Sequence, residues 1–184
     1  MKPWWTLCLV GCGWWSGAAA PAVDLSQPRA PREAIGDVPA RDGAFQARID
    51  RHELARLMAA ASPRPRIYNV WATWCGPCVA EMPALDRFAE AHPEVDLWFV
   101  NTDHPKVASA QVDRFLVEHG LTDRLHLRPS AQESDLTAAL ADFPAVLPVT
   151  FVVRPSGERH EVFIGAVDEA LLDRSLTTLV DQRP

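Results

Sequence analysis

Two cysteines, Cys75 and Cys78, stand between an apolar run and a helical pattern, and this feature constrains the chain more than any other. Residues 67–71 form an apolar run that predicts a buried strand leading directly into the cysteines. Apolar residues then recur at helical spacing over residues 79–91. The cysteines therefore lie where a strand ends and a helix begins.

This position gives the first cysteine its chemistry. The amino end of a helix carries free N–H groups and a partial positive charge, which stabilise a thiolate and lower the pKa of Cys75. Cys75 is the predicted nucleophile, and Cys78 is the predicted resolving thiol that attacks the mixed disulfide formed by Cys75. Gly76 and Pro77 allow a tight turn into the helix, where a missing proline N–H costs no hydrogen bond.

A cysteine pair of this spacing can also be half of a zinc site. Zinc requires a second pair of Cys or His ligands at suitable spacing. The other two cysteines, Cys8 and Cys12, belong to the amino-terminal leader. The histidines are scattered over positions 52, 92, 104, 119, 126 and 160. Redox chemistry therefore explains the pair better than metal binding does, and we expect no metal and no cofactor besides the disulfide itself.

The amino terminus divides the chain into three predicted segments. Residues 1–20 combine Lys2, a short apolar run and small residues, which is typical of a secretory signal peptide, with an uncleaved anchor as an alternative. Cys12 stands in a lipobox-like context, so lipidation there is a further alternative. Residues 21–43 form a Pro- and Gly-containing linker, and residues 44–184 form the folded domain. The formal net charge of −6 argues against nucleic-acid binding and a polybasic membrane patch.

The folded part alternates strands with helices. Asp50 and Glu53 have the spacing of a capping box at the start of a first helix. The predicted strands lie near residues 44–49, 67–71, 95–101, 125–127, 149–153 and 161–164. The other predicted helices lie near residues 79–91, 107–119, 133–141 and 168–180. This order predicts an α/β fold with a central mixed sheet flanked by helices.

At the motif W-C-G-P-C the chain resembles the thioredoxins. Residues 69–83 carry the longer pattern W-C-x-P-C-x-x-E-x-P, which resembles the extracytoplasmic TlpA/ResA-type thioredoxin-like reductases. The resemblance covers about residues 44–181. It implies a thioredoxin-like fold with an extra helix–strand insertion after the central strand.

The same resemblance implies a substrate-binding surface around the cysteines. Pro148 matches a family proline that is cis and lies beside the disulfide, and the backbone next to it, at Leu147 and Pro148, would pair with an extended substrate segment. An ordinary trans proline at the start of a strand is the alternative. Trp74, Gly76 and Pro77 are the other predicted substrate contacts. Trp71 is predicted to belong to the core.

Thioredoxin has a buried aspartate six residues before its first cysteine, and this chain has Asn69 there. An amide cannot take up a proton. Glu81 matches the glutamate of the TlpA/ResA type and is predicted to tune the cysteine pKa values and relay protons. A solvated carboxylate on the helix surface is the alternative. His104 and His126 are candidate neighbours of the site, with exposed or hydrogen-bonded roles elsewhere as the alternative.

The leading functional prediction is a periplasmic or otherwise extracytoplasmic disulfide reductase. Its expected partners are client proteins with disulfides and a membrane thiol electron donor, and the resemblance suggests apocytochrome c as a client. The alternatives are a disulfide oxidase and a non-catalytic thioredoxin-fold binding module or metal chaperone. The two-residue spacing between Cys75 and Cys78 argues against the copper-delivering relatives, which have three residues there.

Overall fold

The strands of the described residues form one mixed sheet. The computed structural model describes residues 46–104, 106, 109–130, 135–140 and 143–181. The strands are β1 (Gln46–Ile49), β2 (Arg66–Trp71), β3 (Asp96–Asn101), β4 (Leu125–Pro129), β5 (Val149–Val153) and β6 (Arg159–Ile164). The helices are α1 (Arg51–Ala59), α2 (Gly76–Ala91), α3 (Ser109–Glu118) and α4 (Glu169–Asp181).

The strand order is β1-β4-β3-β2-β5-β6. The neighbours among β1, β4, β3 and β2 are parallel, whereas β5 runs antiparallel to β2 and β6 antiparallel to β5. The predicted α/β fold with a mixed sheet is therefore confirmed. The predicted extra helix and strand correspond to α3 and β4, and β4 lies between β3 and the edge strand β1.

The two central strands are buried on both faces because helices cover each side of the sheet. Every residue of β2 and β3 is buried. Side chains of β2 alternate: Ile67 and Trp71 pack with the core of α2, α3 and α4, whereas Tyr68 and Val70 pack with the core that includes α1. This two-residue period is the expected geometry of a strand between two helical layers. Trp71 is a core residue, as predicted.

Helix α1 begins at the predicted capping box. The Glu53 N–H donates to the Asp50 Oδ1 atom at 2.8 Å, and the Asp50 N–H donates to the Glu53 Oε2 atom at 2.8 Å. At the other end of α1, the buried Arg66 guanidinium donates to the carbonyl oxygens of Leu57 and Ala60. These bonds satisfy carbonyl groups that the end of a helix leaves without partners.

One predicted element differs from the structure. A helix was expected near residues 133–141, but the described residues there form a single 3-10 turn, Leu136–Ala139. The Asp135 side chain accepts the Thr137 N–H at 2.9 Å, and the Leu140 N–H bonds back to the Thr137 carbonyl at 2.9 Å before the chain becomes extended. The Asp135 side chain thus caps the start of the turn, and the extended backbone of Leu140 ends it before a second helical turn can form.

Several predictions lie outside the described residues. These are the leader at residues 1–20, the lipidation of Cys12, the linker at residues 21–43, and the ends of the elements expected at residues 44–45, 107–108 and 133–134. In the part of the chain that the structure describes, no helix has the length and apolar character needed to cross a membrane.

Candidate active site

The two cysteines form a disulfide at the amino end of α2. Cys75 is the N-cap residue of this helix, and its Cα lies 5.3 Å from that of Cys78. The Cys78 N–H donates to the Cys75 Sγ atom at 3.3 Å. Cys75 is 5% exposed and Cys78 is fully buried, so the first cysteine is the more exposed residue of the two.

The chain enters α2 through the two residues between the cysteines. Gly76 and Pro77 occupy the first two helical positions, and both are exposed. A proline is compatible with this turn because the N–H groups there have no partner within the helix. The helix itself is 16 residues long, so its aligned peptide dipoles act at the sulfur of Cys75.

The Leu147–Pro148 peptide bond is cis. Pro148 directly precedes β5, and the first residue of β5, Val149, pairs with Val70 near the end of β2. Because β5 runs antiparallel to β2, the start of β5 and the end of β2 lie at the same edge of the sheet. The cis-proline turn and the loop leading to Cys75 therefore share this edge. Leu147 is half-buried and Pro148 is buried.

Exposed apolar side chains surround this edge. Three of the large apolar side chains that the described residues expose are Trp74 (72% exposed), Val146 (47%) and Ile164 (65%), and we call them the apolar rim. Ile164 belongs to it because it pairs with Val149, and the next residue donates its N–H to the Pro148 carbonyl at 2.9 Å. Trp74 was predicted from the sequence. Val146 and Ile164 were missed: Ile164 is brought to this edge by the strand register, and Val146 stands two residues before Pro148.

Glu81 is a buried carboxylate, only 4% exposed. The Asn69 Nδ2 group donates to its Oε1 atom at 2.8 Å, and the Val167 N–H donates to its Oε2 atom at 2.8 Å. Burial raises the pKa of Glu81 above its usual value, and the hydrogen bonds from Val167 and Asn69 partly oppose this shift. The alternative of a solvated carboxylate on the helix surface is therefore wrong.

Glu81 lies one helical turn after Cys78, and residues three apart face the same side of a helix. Asn69 also donates to the Thr150 Oγ1 atom at 3.1 Å, so it joins the carboxylate of α2 to β5. The sequence identifies Asn69 as a residue that cannot carry a proton, but it gives no sign of this amide bridge or of Thr150. Neither partner has a sequence signal, because the contacts depend on how α2 packs on the sheet.

The raised pKa of Glu81 predicts a pH-dependent stability. An unfolded chain loses this proton near the ordinary value of 4.5, whereas the folded chain keeps it to higher pH. The stabilisation is complete below that value and is lost as pH rises through the raised folded pKa. Glu81→Gln cannot ionise, so its free energy of unfolding should improve relative to the unmodified protein as pH rises. The gain should be about 1.4 kcal/mol for each pH unit that separates the folded from the unfolded pKa.

Urea unfolding of the oxidised protein at a series of pH values measures this difference. Gln keeps one acceptor oxygen, so one of the two hydrogen bonds is lost at every pH and contributes a constant offset. The exposed Glu118→Gln change is the control for removing one negative charge. Parallel pH profiles for the two variants would contradict burial as the cause.

Both candidate histidines have hydrogen-bond partners other than the cysteines. His126 lies in β4, where it stacks on Phe99 with ring centroids 5.3 Å apart and its Nε2 bonds to the Leu121 carbonyl at 2.7 Å. Burial lowers the pKa of His126 to about 4. His104 is exposed, and its Nδ1 accepts the Lys106 N–H at 3.2 Å. Within the described ranges, no group of three or more His, Cys, Asp or Glu side chains could hold a metal ion.

The chain is similar in sequence to proteins named for thiol-disulfide chemistry. No protein-family model matches the chain. The chain is 32% identical to the thiol-disulfide oxidoreductase ResA of Oceanobacillus iheyensis over 117 residues, 62% of this chain and 57% of the relative. It is 29% identical to the thiol:disulfide interchange protein DsbE of Pseudomonas fluorescens over 108 residues, 59% of this chain and 56% of the relative. The aligned region thus spans little more than half of these curated relatives.

A solved structure supports the same assignment. The thioredoxin-related protein of Neisseria meningitidis serogroup B matches with a TM-score of 0.55 and 29% identity, over 68% of this chain and 91% of that one. This chain carries its cysteine pair at the amino end of α2. The chain has a thioredoxin-like fold and is similar to thiol-disulfide oxidoreductases of the TlpA/ResA type.

Proposed function

We propose that this chain is a thiol-disulfide oxidoreductase that reacts through Cys75 and Cys78. The observation that carries the proposal is the Cys75 sulfur at the N-cap of α2, where it accepts the Cys78 N–H at 3.3 Å. An N–H group and a helix dipole directed at this sulfur favour its anionic form. The similarity to proteins named ResA and DsbE supports the same chemistry.

The reaction begins with the reduced pair. The Cys75 thiolate attacks one sulfur of a client disulfide, forms a mixed disulfide and releases the other client sulfur as a thiolate, which takes up a proton. Cys78 then loses its proton and attacks the Cys75 sulfur. This second step closes the Cys75–Cys78 disulfide and releases the client dithiol. Two electrons pass from the protein to the client.

Glu81 accepts the proton that Cys78 releases in this mechanism. Its position one turn along α2 and its burial support the role, because a buried carboxylate with a raised pKa is a better proton acceptor than an ordinary one. The Asn69 and Val167 donors hold both carboxylate oxygens, so the group stays oriented while its proton comes and goes.

The client binds across the apolar rim and the cis-proline turn. Trp74, Val146 and Ile164 offer exposed apolar surface on the edge of the sheet that carries Cys75. The backbone at Leu147, next to Pro148, pairs with an extended segment of the client, a mode that gives affinity through main-chain hydrogen bonds, and the Pro148 ring adds an apolar contact. Gly76 and Pro77 add exposed contacts beside the disulfide.

The proposed direction is reduction, outside the cytoplasm. The leader-like residues 1–20 and the Gly-Pro between the cysteines support this assignment. A membrane thiol donor then returns the pair to the reduced state, and clients are exported proteins with disulfides, apocytochrome c among them. Tethering through the leader or through a lipidated Cys12 would keep the protein near such a donor.

Redox titration of the Cys75–Cys78 pair tests the function and its direction together. Equilibration with dithiothreitol buffers, followed by alkylation and mass analysis, should give a midpoint potential near that of thioredoxin, about −270 mV. A midpoint potential of about −120 mV would show that the pair is an oxidant, and the proposed direction would then be oxidation. A pair that never cycles between disulfide and dithiol would contradict the proposed activity.

A further inference from the structure

The loop that delivers Cys75 is held by the residues that follow β3. We call residues 72–74 the approach loop, because they join the end of β2 to Cys75. At its start, the Trp71 carbonyl accepts the Thr102 N–H at 2.9 Å and the Thr102 Oγ1 group at 3.1 Å. At its end, the Cys75 N–H donates to the Ala72 carbonyl at 3.1 Å.

The buried carboxylate of Asp103 binds the centre of the approach loop. The Asp103 Oδ2 atom accepts the Thr73 N–H at 3.0 Å, and its Oδ1 atom accepts the Thr73 hydroxyl at 3.0 Å. The Asn101 Nδ2 group donates to the same Oδ2 atom at 2.8 Å, and the Asn101 Oδ1 atom accepts the Asp103 N–H at 3.2 Å. Thr73, Asn101 and Asp103 together form what we call the Asp103 clamp.

The hydrogen bonds of the clamp are strongest with a carboxylate at position 103. Two of the three groups directed at Asp103, the Thr73 N–H and the Asn101 amide, can only donate, and the Thr73 hydroxyl can donate as well, so they suit a carboxylate that accepts on both oxygens. Burying a charge is costly unless hydrogen bonds compensate, and bonds to an ionised acceptor are the stronger kind. Asp103 is buried, so its charge is stabilised by the approach loop and by Asn101.

We propose that Asp103 is a positioning residue for disulfide exchange, which acts by fixing the approach loop. Thr73 lies two residues before Cys75 and directly before the exposed Trp74. A fixed Thr73 therefore sets both the sulfur at the N-cap of α2 and the indole that faces the client. This role rests on the proposed function, and Asp103 itself contacts neither client nor sulfur in this scheme.

The sign of the effect separates positioning from simple electrostatics. A negative charge near Cys75 disfavours its thiolate, so neutralising Asp103 would speed the reaction of Cys75 if charge alone mattered. Loss of positioning does the opposite, because the sulfur no longer holds its place against the N–H of Cys78. Asp103→Asn replaces hydrogen bonds to an ionised acceptor with weaker bonds to a neutral amide, so it loosens the clamp without changing its shape.

The test is the alkylation of Cys75 by iodoacetamide in the reduced full-length protein, followed by mass analysis of the peptide that contains Cys75. Asp103→Asn should lower the rate at pH 7 about tenfold and move the alkylation profile to higher pH. Thr73→Val removes one hydrogen bond without changing charge and should lower the rate in the same direction. Thr73→Ser keeps the hydroxyl and should restore the rate of the unmodified protein.

Asp96→Asn is the matched control. Asp96 is also buried, but it opens β3 at the opposite end from Asn101, where it pairs with Arg64 at 3.7 Å. This variant should keep the rate and the pH profile of the unmodified protein. An equal decrease of the alkylation rate in Asp96→Asn and Asp103→Asn would overturn the proposal. A faster or unchanged alkylation rate in Asp103→Asn would also overturn it. If Asp103→Asn does not fold, Thr73→Val decides: an unchanged rate there overturns the proposal.

Insulin reduction by the same variants separates this proposal from the proposed function. If the unmodified protein fails to reduce insulin, the proposed function fails, while the alkylation rates still test the clamp. If the unmodified protein reduces insulin and Asp103→Asn matches it in both assays, the positioning role of Asp103 is wrong and the proposed function stands. Lower rates of both Cys75 alkylation and insulin reduction in Asp103→Asn, with both rates unchanged in Asp96→Asn, support the positioning role.

Discussion

Cys75→Ser is expected to lower the rate of insulin reduction by at least about a thousandfold. A serine hydroxyl does not ionise near neutral pH, and an oxygen in this position cannot form the mixed disulfide. The N-cap geometry of α2 would remain, because serine is a preferred N-cap residue. The measurement is the rate at which the fully reduced protein, without added dithiothreitol, releases insulin thiols.

Cys78→Ser is the matched variant for this prediction. It keeps the nucleophile at the helix end but removes the buried thiol that completes the reaction. The mixed disulfide through Cys75 should therefore accumulate, visible as a covalent adduct on a non-reducing gel. Equal insulin rates for Cys75→Ser and the unmodified protein would rule out the catalytic role. Adducts formed equally by both serine variants would rule out the assigned order of the two sulfurs.

Gly157→Ala is expected to lower the free energy of unfolding by about 3 kcal/mol. Gly157 has a φ of +90°, which disfavours side chains. A Cβ atom there would lie 2.1 Å from the Ala59 carbonyl oxygen and 2.9 Å from that of Ala60. These are backbone atoms at the end of α1, so the turn between β5 and β6 must separate from the helix.

Gly165→Ala isolates the contact from the backbone conformation. Gly165 has a similar φ of +97°, but nothing lies within 4 Å of the Cβ position there. Its substitution should cost about 1 kcal/mol, from backbone strain alone. Urea unfolding of both oxidised variants measures the difference. Equal losses would show that the approach of Gly157 to α1 contributes nothing.

The sequence predicted those parts of the site that follow from local pattern. The apolar run of β2, the helical spacing of α2 and the cysteines between them are contiguous, so periodicity locates the reactive pair without any tertiary information. The capping box at Asp50 and Glu53 is equally local, and it is present. Pro148 came from resemblance, and its peptide bond is cis.

The rest of the site depends on contacts between distant residues. Glu81 receives its donors from Asn69, 12 residues before it, and from Val167, 86 residues after it. Asp103 accepts a hydrogen bond from Thr73, which lies 30 residues before it in the sequence. Each partner is an ordinary polar group in sequence. Its role appears only when α2 and the β3 exit pack against the end of β2, and no periodicity encodes that packing.

Local pattern alone misleads at two places in this chain. A carboxylate in a helix between alanine and methionine is compatible with a surface position, but Glu81 lies on the buried stripe of α2 with Cys78 and Leu85. The apolar and alanine-rich residues 136–140 suggest a helix, but the Asp135 side chain and the Leu140 N–H close a 3-10 turn instead. Tertiary burial decided the first case, and in the second the backbone is extended at Leu140, which ends the turn.

The hydrogen bond from the Val167 amide to Glu81 gives the molecule a built-in spectroscopic probe. The amide nitrogen lies 2.8 Å from a carboxylate oxygen, so the local field at that nucleus depends on whether the acid carries its proton. A single backbone resonance, two residues before α4 and remote in sequence from the sulfurs, should therefore follow the charge of Glu81 through a titration. Proton movement in the interior can thus be observed without labelling either cysteine.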